Sequence, residues 1–220
     1  MNTPGLSVLL ATLLAGFGAG VTLLISAASG DRRAMIVTLK AVLVWGVAYG
    51  VLLLTTSLSS NARLLGHGER KAFCGFYLDC HLGATVLHSD RVDKLFLGDS
   101  LVTTRGEFVL VDLVLDSDAK ARTLYLDGVR AVTENAEGTQ YVRRPDLEFE
   151  VNRQMGREAT LEVGLAPGEH IRRILVFEVP AGTEGLRLHV SKGDSIERLL
   201  EAVLIGDEDS LLHGRLYHRL

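Results

Sequence analysis

Hydrophobic and polar positions divide this chain into two parts. Asn2 to Gly30 carries no charged side chain, Asp31-Arg32-Arg33 interrupts the apolar run, and a second run extends from Ala34 to Ser57 with Lys40 as its one charge. A helix needs roughly 20 apolar residues to cross a bilayer core, and each run is that long. The pattern predicts a transmembrane hairpin over 1–57, with helices at about 5–29 and 34–57. A linker, 58–72, follows; Ser59, Ser60, Asn61, Gly66 and Gly68 are turn and loop formers.

From Thr85 onward the period changes to two. Phe108, Leu110, Asp112 and Val114 alternate with Val109, Val111, Leu113 and Leu115, so both faces of this strand are largely apolar. Leu124, Leu126 and Val129 begin another run. Asn135 to Gly138 is a turn, and Thr139 to Val142 leads out of it as a strand. Thr160 to Val163 is short and β-prone. Ala166-Pro167-Gly168-Glu169 is a turn, because proline presets φ and glycine accepts positive φ. Ile171, Ile174, Val176 and Val179 mark a strand stopped by Pro180, and Leu186, Leu188 and Val190 mark the next. With no helical period before Ser195, residues 73–220 read as an all-β sandwich. Ile196, Leu199, Leu200 and Val203 then recur at helical spacing, which predicts one short C-terminal helix over Ser195–Ile205. An acidic turn, Asp207-Glu208-Asp209, and a closing segment from Leu211 follow.

Charge adds direction. Basic residues near short loops stay cytoplasmic, and the turn holds Arg32 and Arg33, with Lys40 able to snorkel toward the same side. Met1 to Gly5 has no charged side chain. This places the turn on the cytoplasmic side and both the N-terminus and the large domain on the opposite side. Arg63, Arg70 and Lys71 count against it. A cleaved signal peptide would have a basic start and a shorter apolar core, so the first run is expected to persist as a helix. The net charge of −4 and pI of about 6.0 exclude a general nucleic-acid binder.

Small residues line both helices: Gly16 and Gly20 on the first, Gly46 and Gly50 on the second. At this spacing they let backbones approach closely in lipid. The first expectation is that the two pairs pack on each other within the hairpin; the alternative is that one face docks on another membrane subunit. Trp45 and Tyr49, near the middle of the second run, are candidates for a helix–helix or cofactor contact, with lipid-facing or hairpin-internal packing as the simpler outcome.

The cysteines are Cys74 and Cys80. Outside the cytoplasm such a pair suggests a disulfide, with two buried free thiols as the alternative. Six residues of strand span about 20 Å and of helix about 9 Å, against the roughly 7 Å that a disulfide allows, so Gly75 to Asp79 must fold back as a loop. Two cysteines and His81 do not match zinc spacings. No Gly-x-Ser-x-Gly elbow and no phosphate loop with a lysine is present. The acidic turn lacks the calcium-loop pattern, and seven histidines are scattered singly. Arg143-Arg144 and Arg172-Arg173 are expected to be solvated or salt-bridged. No catalytic residue, metal ligand or cofactor is therefore expected.

Gly106 to Ser117, Glu137-Gly138-Thr139-Gln140-Tyr141, Ala166-Pro167-Gly168-Glu169 and Leu175-Val176-Phe177-Glu178-Val179-Pro180 carry a resemblance. Over about Ala84 to Ser191 the chain resembles a family of bacterial extracytoplasmic immunoglobulin-like domains. That family is telokin-like in fold, largely of unknown function, and often held on membrane or lipid anchors. The resemblance implies an immunoglobulin-like β-sandwich and an adaptor rather than an enzyme, and it brings no catalytic residues. The hairpin, Phe73 to His81 and the C-terminal tail lie outside it. The expected function is a non-catalytic structural or accessory subunit of a larger hetero-oligomeric membrane complex, respiratory or photosynthetic, contacting membrane subunits and the lipid bilayer. A periplasmic sensor or ligand-binding module is the alternative and predicts an apolar pocket or an exposed edge strand. A hydrolase is the third and predicts a perturbed carboxylate or histidine in a cleft.

Overall fold

The computed structural model describes residues 3–73, 80–205 and 210–220. Two compact units divide the chain: Met1–Asn61 with Arg198–Gly214, and Ala62–Glu197 with Arg215–Leu220.

In the first unit, α1 (Thr3–Ser29) and α2 (Arg32–Leu58) are joined through Gly30, at φ +74°, and Asp31. The Asp31 carboxylate accepts the backbone N–H groups of Arg33 and Ala34 at 3.1 and 3.0 Å. This cap satisfies donors that a helix start leaves open, and it starts α2 two residues earlier than apolarity alone predicts. Both helices are long and apolar enough to cross a membrane, with mean hydropathies of 2.3 and 2.0, and only 6% of each span is buried within the protein.

The second unit is mostly β. One sheet runs β1-β11-β10-β6-β7, from Arg63–Leu65, Leu216–Arg219, Arg187–Ser191, Arg130–Glu134 and Gln140–Tyr141. Its β1 and β11 are parallel and the other neighbours antiparallel. The other sheet, antiparallel throughout, runs β2-β3-β4-β9, from Arg70–Phe73, Leu82–Leu97, Ser100–Ser117 and His170–Val179. A small pair joins β5 (Leu124–Tyr125) to β8 (Gly164–Leu165). Val109, Val111, Leu113 and Leu115 of β4 meet Leu175 and Phe177 of β9, and Leu188 and Val190 of β10, in one core fed by both sheets.

The opposite face of β4 explains the strand's double apolarity. Phe108 of β4, with Ile174 and Val176 of β9, packs against Leu147 and Val151 of α3 (Pro145–Gln154), a helix that the period-two reading of this region does not anticipate. Its signals were local: Pro145 at the first turn, Asp146 and Glu148 behind it, Arg153 in the last turn and Gly156 at φ +67° beyond. Leu95 joins this smaller core from the far end of β3, where register shifts at Val86/His88 and Val92/Lys94 interrupt the β3–β4 ladder.

α3 also closes a sheet edge. β9 is outermost, so alternate backbone groups lack a strand partner. Asn152 supplies two bonds at Ile174: its Oδ1 accepts the N–H at 2.9 Å, and its Nδ2 donates to the carbonyl at 2.8 Å. Glu148 accepts the Val176 N–H at 3.0 Å, and the Arg144 N–H donates to the Val176 carbonyl at 2.8 Å.

Other boundaries differ from the sequence reading. The linker contains β1, a strand of three residues that only its parallel partner β11 in the tail makes regular. Thr160 to Val163 is not a strand: the Thr160 carbonyl accepts Arg173 Nε at 3.0 Å and its hydroxyl accepts the Glu162 N–H at 3.2 Å. The C-terminal helix, α4, covers Ser195–Ala202 and stops short of Ile205.

Replacing Asn152 with Ala leaves the buried Ile174 N–H without its acceptor. We expect Asn152→Ala to lower stability by about 2 kcal/mol, read as a shift of the denaturation midpoint of the full chain in detergent; an unchanged midpoint would remove α3 from the role of edge closure.

Candidate functional site

Gly16, Gly20, Gly46 and Gly50 do not pack on one another. A Cβ built on any of the four meets no heavy atom within 4 Å. The expectation of glycine-to-glycine packing inside the hairpin is therefore corrected. α1 and α2 are instead linked through large side chains: the Trp45 indole N–H donates to Thr12 Oγ1 at 3.1 Å, while the Thr12 hydroxyl donates to the Val8 carbonyl at 2.8 Å. A buried-in-lipid indole N–H needs such a partner. Gly16 and Gly46 stay exposed on their helices, beside exposed large apolar side chains such as Phe17 and Val47. Tyr49 turns elsewhere in the same unit: its hydroxyl donates to the Val203 carbonyl at 2.5 Å.

The β unit holds a groove of 640 Å³ beside α3. Ala131 of β6 and Leu161 line it, while Val142 and Phe149 stand at 75% and 56% exposure. Arg143 and Glu148 form an ion pair in it, and Arg130 and Glu162 are its other charged lining residues. Arg143 Nε lies 2.9 Å from one Glu148 oxygen and 3.1 Å from the other, and its Nη2 also bonds the carboxylate. Glu148 is almost fully buried and already serves the Val176 N–H, so the pair is internally neutral and oriented. A neutral, largely apolar groove suits an aliphatic or aromatic group rather than an anion.

Arg144, Arg172 and Arg173 are engaged in the same way. Arg144 pairs with Glu178 and Asp146, and the Thr104 hydroxyl, foremost, together with Arg144, holds Glu178 below the usual carboxylate range. Arg172 is bidentate on Asp112. Arg173 donates to the Thr160 carbonyl and lies 3.5 Å from Glu158; burial pushes its guanidinium pKa down. Arg143-Arg144 and Arg172-Arg173 are thus committed to ion pairs.

The histidines divide by burial. His81 contacts Asp118 at 2.5 Å and His88 contacts Asp90 at 2.8 Å, all four exposed. His213 sits in its own turn against the Gly214 carbonyl. His218, on β11, is fully buried, and neither ring nitrogen has a hydrogen bond among the described residues. Burial first, and then the Lys71 charge, depress its pKa to about 4. Among the described residues no group of three His, Cys, Asp or Glu side chains could hold a metal ion. Cys80 is disulfide-bonded; Cys74 lies outside the described residues, as does Asp207-Glu208-Asp209.

No family model and no curated protein matches this chain. Two solved structures are similar to it. A conserved hypothetical protein from Bacillus anthracis is 14% identical, with a TM-score of 0.44, over 50% of this chain and 82% of its own. The yjhA protein from Bacillus subtilis is 14% identical, with a TM-score of 0.44, over 70% of this chain and 98% of its own.

His218 carries a pH consequence. The unfolded imidazole takes a proton near pH 6.5 and the folded one near 4. Between these values the unfolded chain binds more protons, so stability rises with pH. We expect the β unit to lose about 3 kcal/mol as pH falls from 6.5 to 4, and His218→Leu to remove that part of the decline. Parallel pH–stability curves for the two proteins would refute it.

Proposed function

We propose that this protein is a non-catalytic, membrane-anchored accessory subunit of a larger complex in a bacterial inner membrane. In this reading the hairpin crosses twice, the arginine turn is cytoplasmic, and an immunoglobulin-like sandwich stands on the periplasmic side. The observation that carries it is the open glycine face on each helix. The hairpin leaves Gly16, Gly20, Gly46 and Gly50 unfilled, and close helix packing in lipid depends on such residues. A helix of another subunit fits that space.

Two facts support the orientation. Cys80 is disulfide-bonded, and disulfides persist in oxidising compartments. Arg70 and Lys71, which weigh against the orientation as juxtamembrane charges, are integrated into the β unit: Arg70 lies 2.7 Å from Asp116, and Lys71 is buried within β2.

The groove beside α3 favours a second reading, a module that captures an apolar ligand or peptide. One experiment addresses both. Wild-type protein extracted at native abundance in mild detergent is expected to migrate in a large assembly. The Gly16→Leu, Gly46→Leu double variant, at positions where an added Cβ meets nothing within 4 Å in its own chain, is expected to migrate as the single chain. Wild type already solitary would overturn the subunit reading. An assembly that survives the glycine changes but is lost with Val142→Arg would assign binding to the groove.

A further inference from the structure

The compact unit built on the hairpin includes a segment that apolarity alone does not mark as membranous: Arg198–Gly214. Three contacts fasten it to α2 and the residues just beyond. The Tyr49 hydroxyl donates to the Val203 carbonyl at 2.5 Å, Ser57 Oγ lies 3.4 Å from Ser210 Oγ, and Ser60 Oγ accepts the Gly214 N–H at 2.6 Å. We infer that the described parts of this segment, 198–205 and 210–214, lie in the lipid interface of the leaflet where α2 leaves the membrane, their outer face covered by acyl chains and headgroups. The inference rests on the hairpin spanning a bilayer and not on the accessory-subunit reading.

Depth follows from helix geometry. The 27 residues of α2 extend about 40 Å, roughly 10 Å more than a bilayer core. Centred in that core, α2 projects about 5 Å beyond each face. Tyr49 is nine residues before the end of α2, about 13 Å along the axis, and so sits about 8 Å inside the hydrocarbon. Interfacial segments bury their apolar faces by about 5–10 Å. Val203, bonded to Tyr49, is at that depth, while Gly214 at Ser60 returns to the headgroup level.

The chemistry fits the placement. Leu199, Leu211 and Leu212 are 69%, 57% and 62% exposed, and Val203 is partly so. They stand on the same unit as the exposed Val51, Leu52, Leu54 and Leu58 of α2. Backbone outside a helix is tolerated at membrane depth only where its polar groups are satisfied. Here the Leu204 N–H donates to Glu201, Leu211 to Ala202 and His213 to Ser210, with Tyr49 and Ser60 supplying bonds from α2. Leu212 holds φ +64°, a conformation unusual for a branched side chain. Lipid burial of an exposed leucine offsets such local strain.

The test uses the full chain in vesicles of phosphatidylcholine and phosphatidylglycerol, with a bimane label on Leu199→Cys, Leu211→Cys or Leu212→Cys. Nitroxide lipid labelled high on the acyl chain is expected to quench all three, with aqueous iodide quenching lost. Glu137→Cys, on an exposed turn of the β unit, is expected to behave oppositely. Val44→Cys, in mid-span, is expected to respond to nitroxide placed deep in the chain. If Val44 fails that control, the spanning hairpin falls and this inference with it. If Val44 passes while the three leucine sites are quenched by iodide, the segment is in water and the inference alone is overturned. Protection from both iodide and lipid nitroxide would mean that protein covers the segment, which also overturns it.

Discussion

Strand β9 is the edge of its sheet, and an edge strand carries backbone groups that must be bonded or left to water. Ile174 and Val176 present those groups outward while their side chains are buried in the smaller core. Asn152, Glu148 and the Arg144 N–H close them. This one constraint organises the whole side of the β unit. It requires a helix at the right distance, so α3 begins immediately after Arg144. It requires a buried carboxylate, and Arg143 neutralises it. The helix then covers the outer apolar face of β4 and β9, and its first turn becomes one wall of the groove.

The hairpin is governed by the opposite balance. Its helices expose apolar side chains nearly all round, so the protein itself supplies little of their burial. Specificity must come from shape and from the few polar groups. Trp45 with Thr12 ties the two helices, Tyr49 with Val203 ties α2 to the returning segment, and four glycines leave gaps that this chain does not fill. The anchor and the C-terminal segment therefore share one surface of apolar side chains and narrow openings.

Several elements were legible because their signal is local. The hairpin is a matter of charge over some twenty residues, and both helices lie within three residues of the predicted ends. β4, β9 and β10 were legible from period two and the Pro167-Gly168 turn from backbone restriction, whereas the sequence left Arg143-Arg144 and Arg172-Arg173 open between solvent and ion pairs. α3 was masked because its buried positions include Glu148 and Asn152, polar residues that hydrophobic periodicity scores as exposed. His218 was masked for the same reason: an isolated histidine in a tail gives no sign of being fully buried.

By itself the sequence determined the two helices apolar enough to span a membrane, the long strands β4, β9 and β10, and the proline-glycine turn at 167–168. Those properties depend on neighbours within a turn or a strand's length. Tertiary structure alone decided what each element meets. Tyr49 and Val203 are 154 residues apart, β1 exists only beside β11, and the glycine pairs turned out not to face one another. Such pairings follow from which polar groups must be satisfied and which surfaces remain to be covered once the local elements are formed, and no local window of the sequence contains both partners.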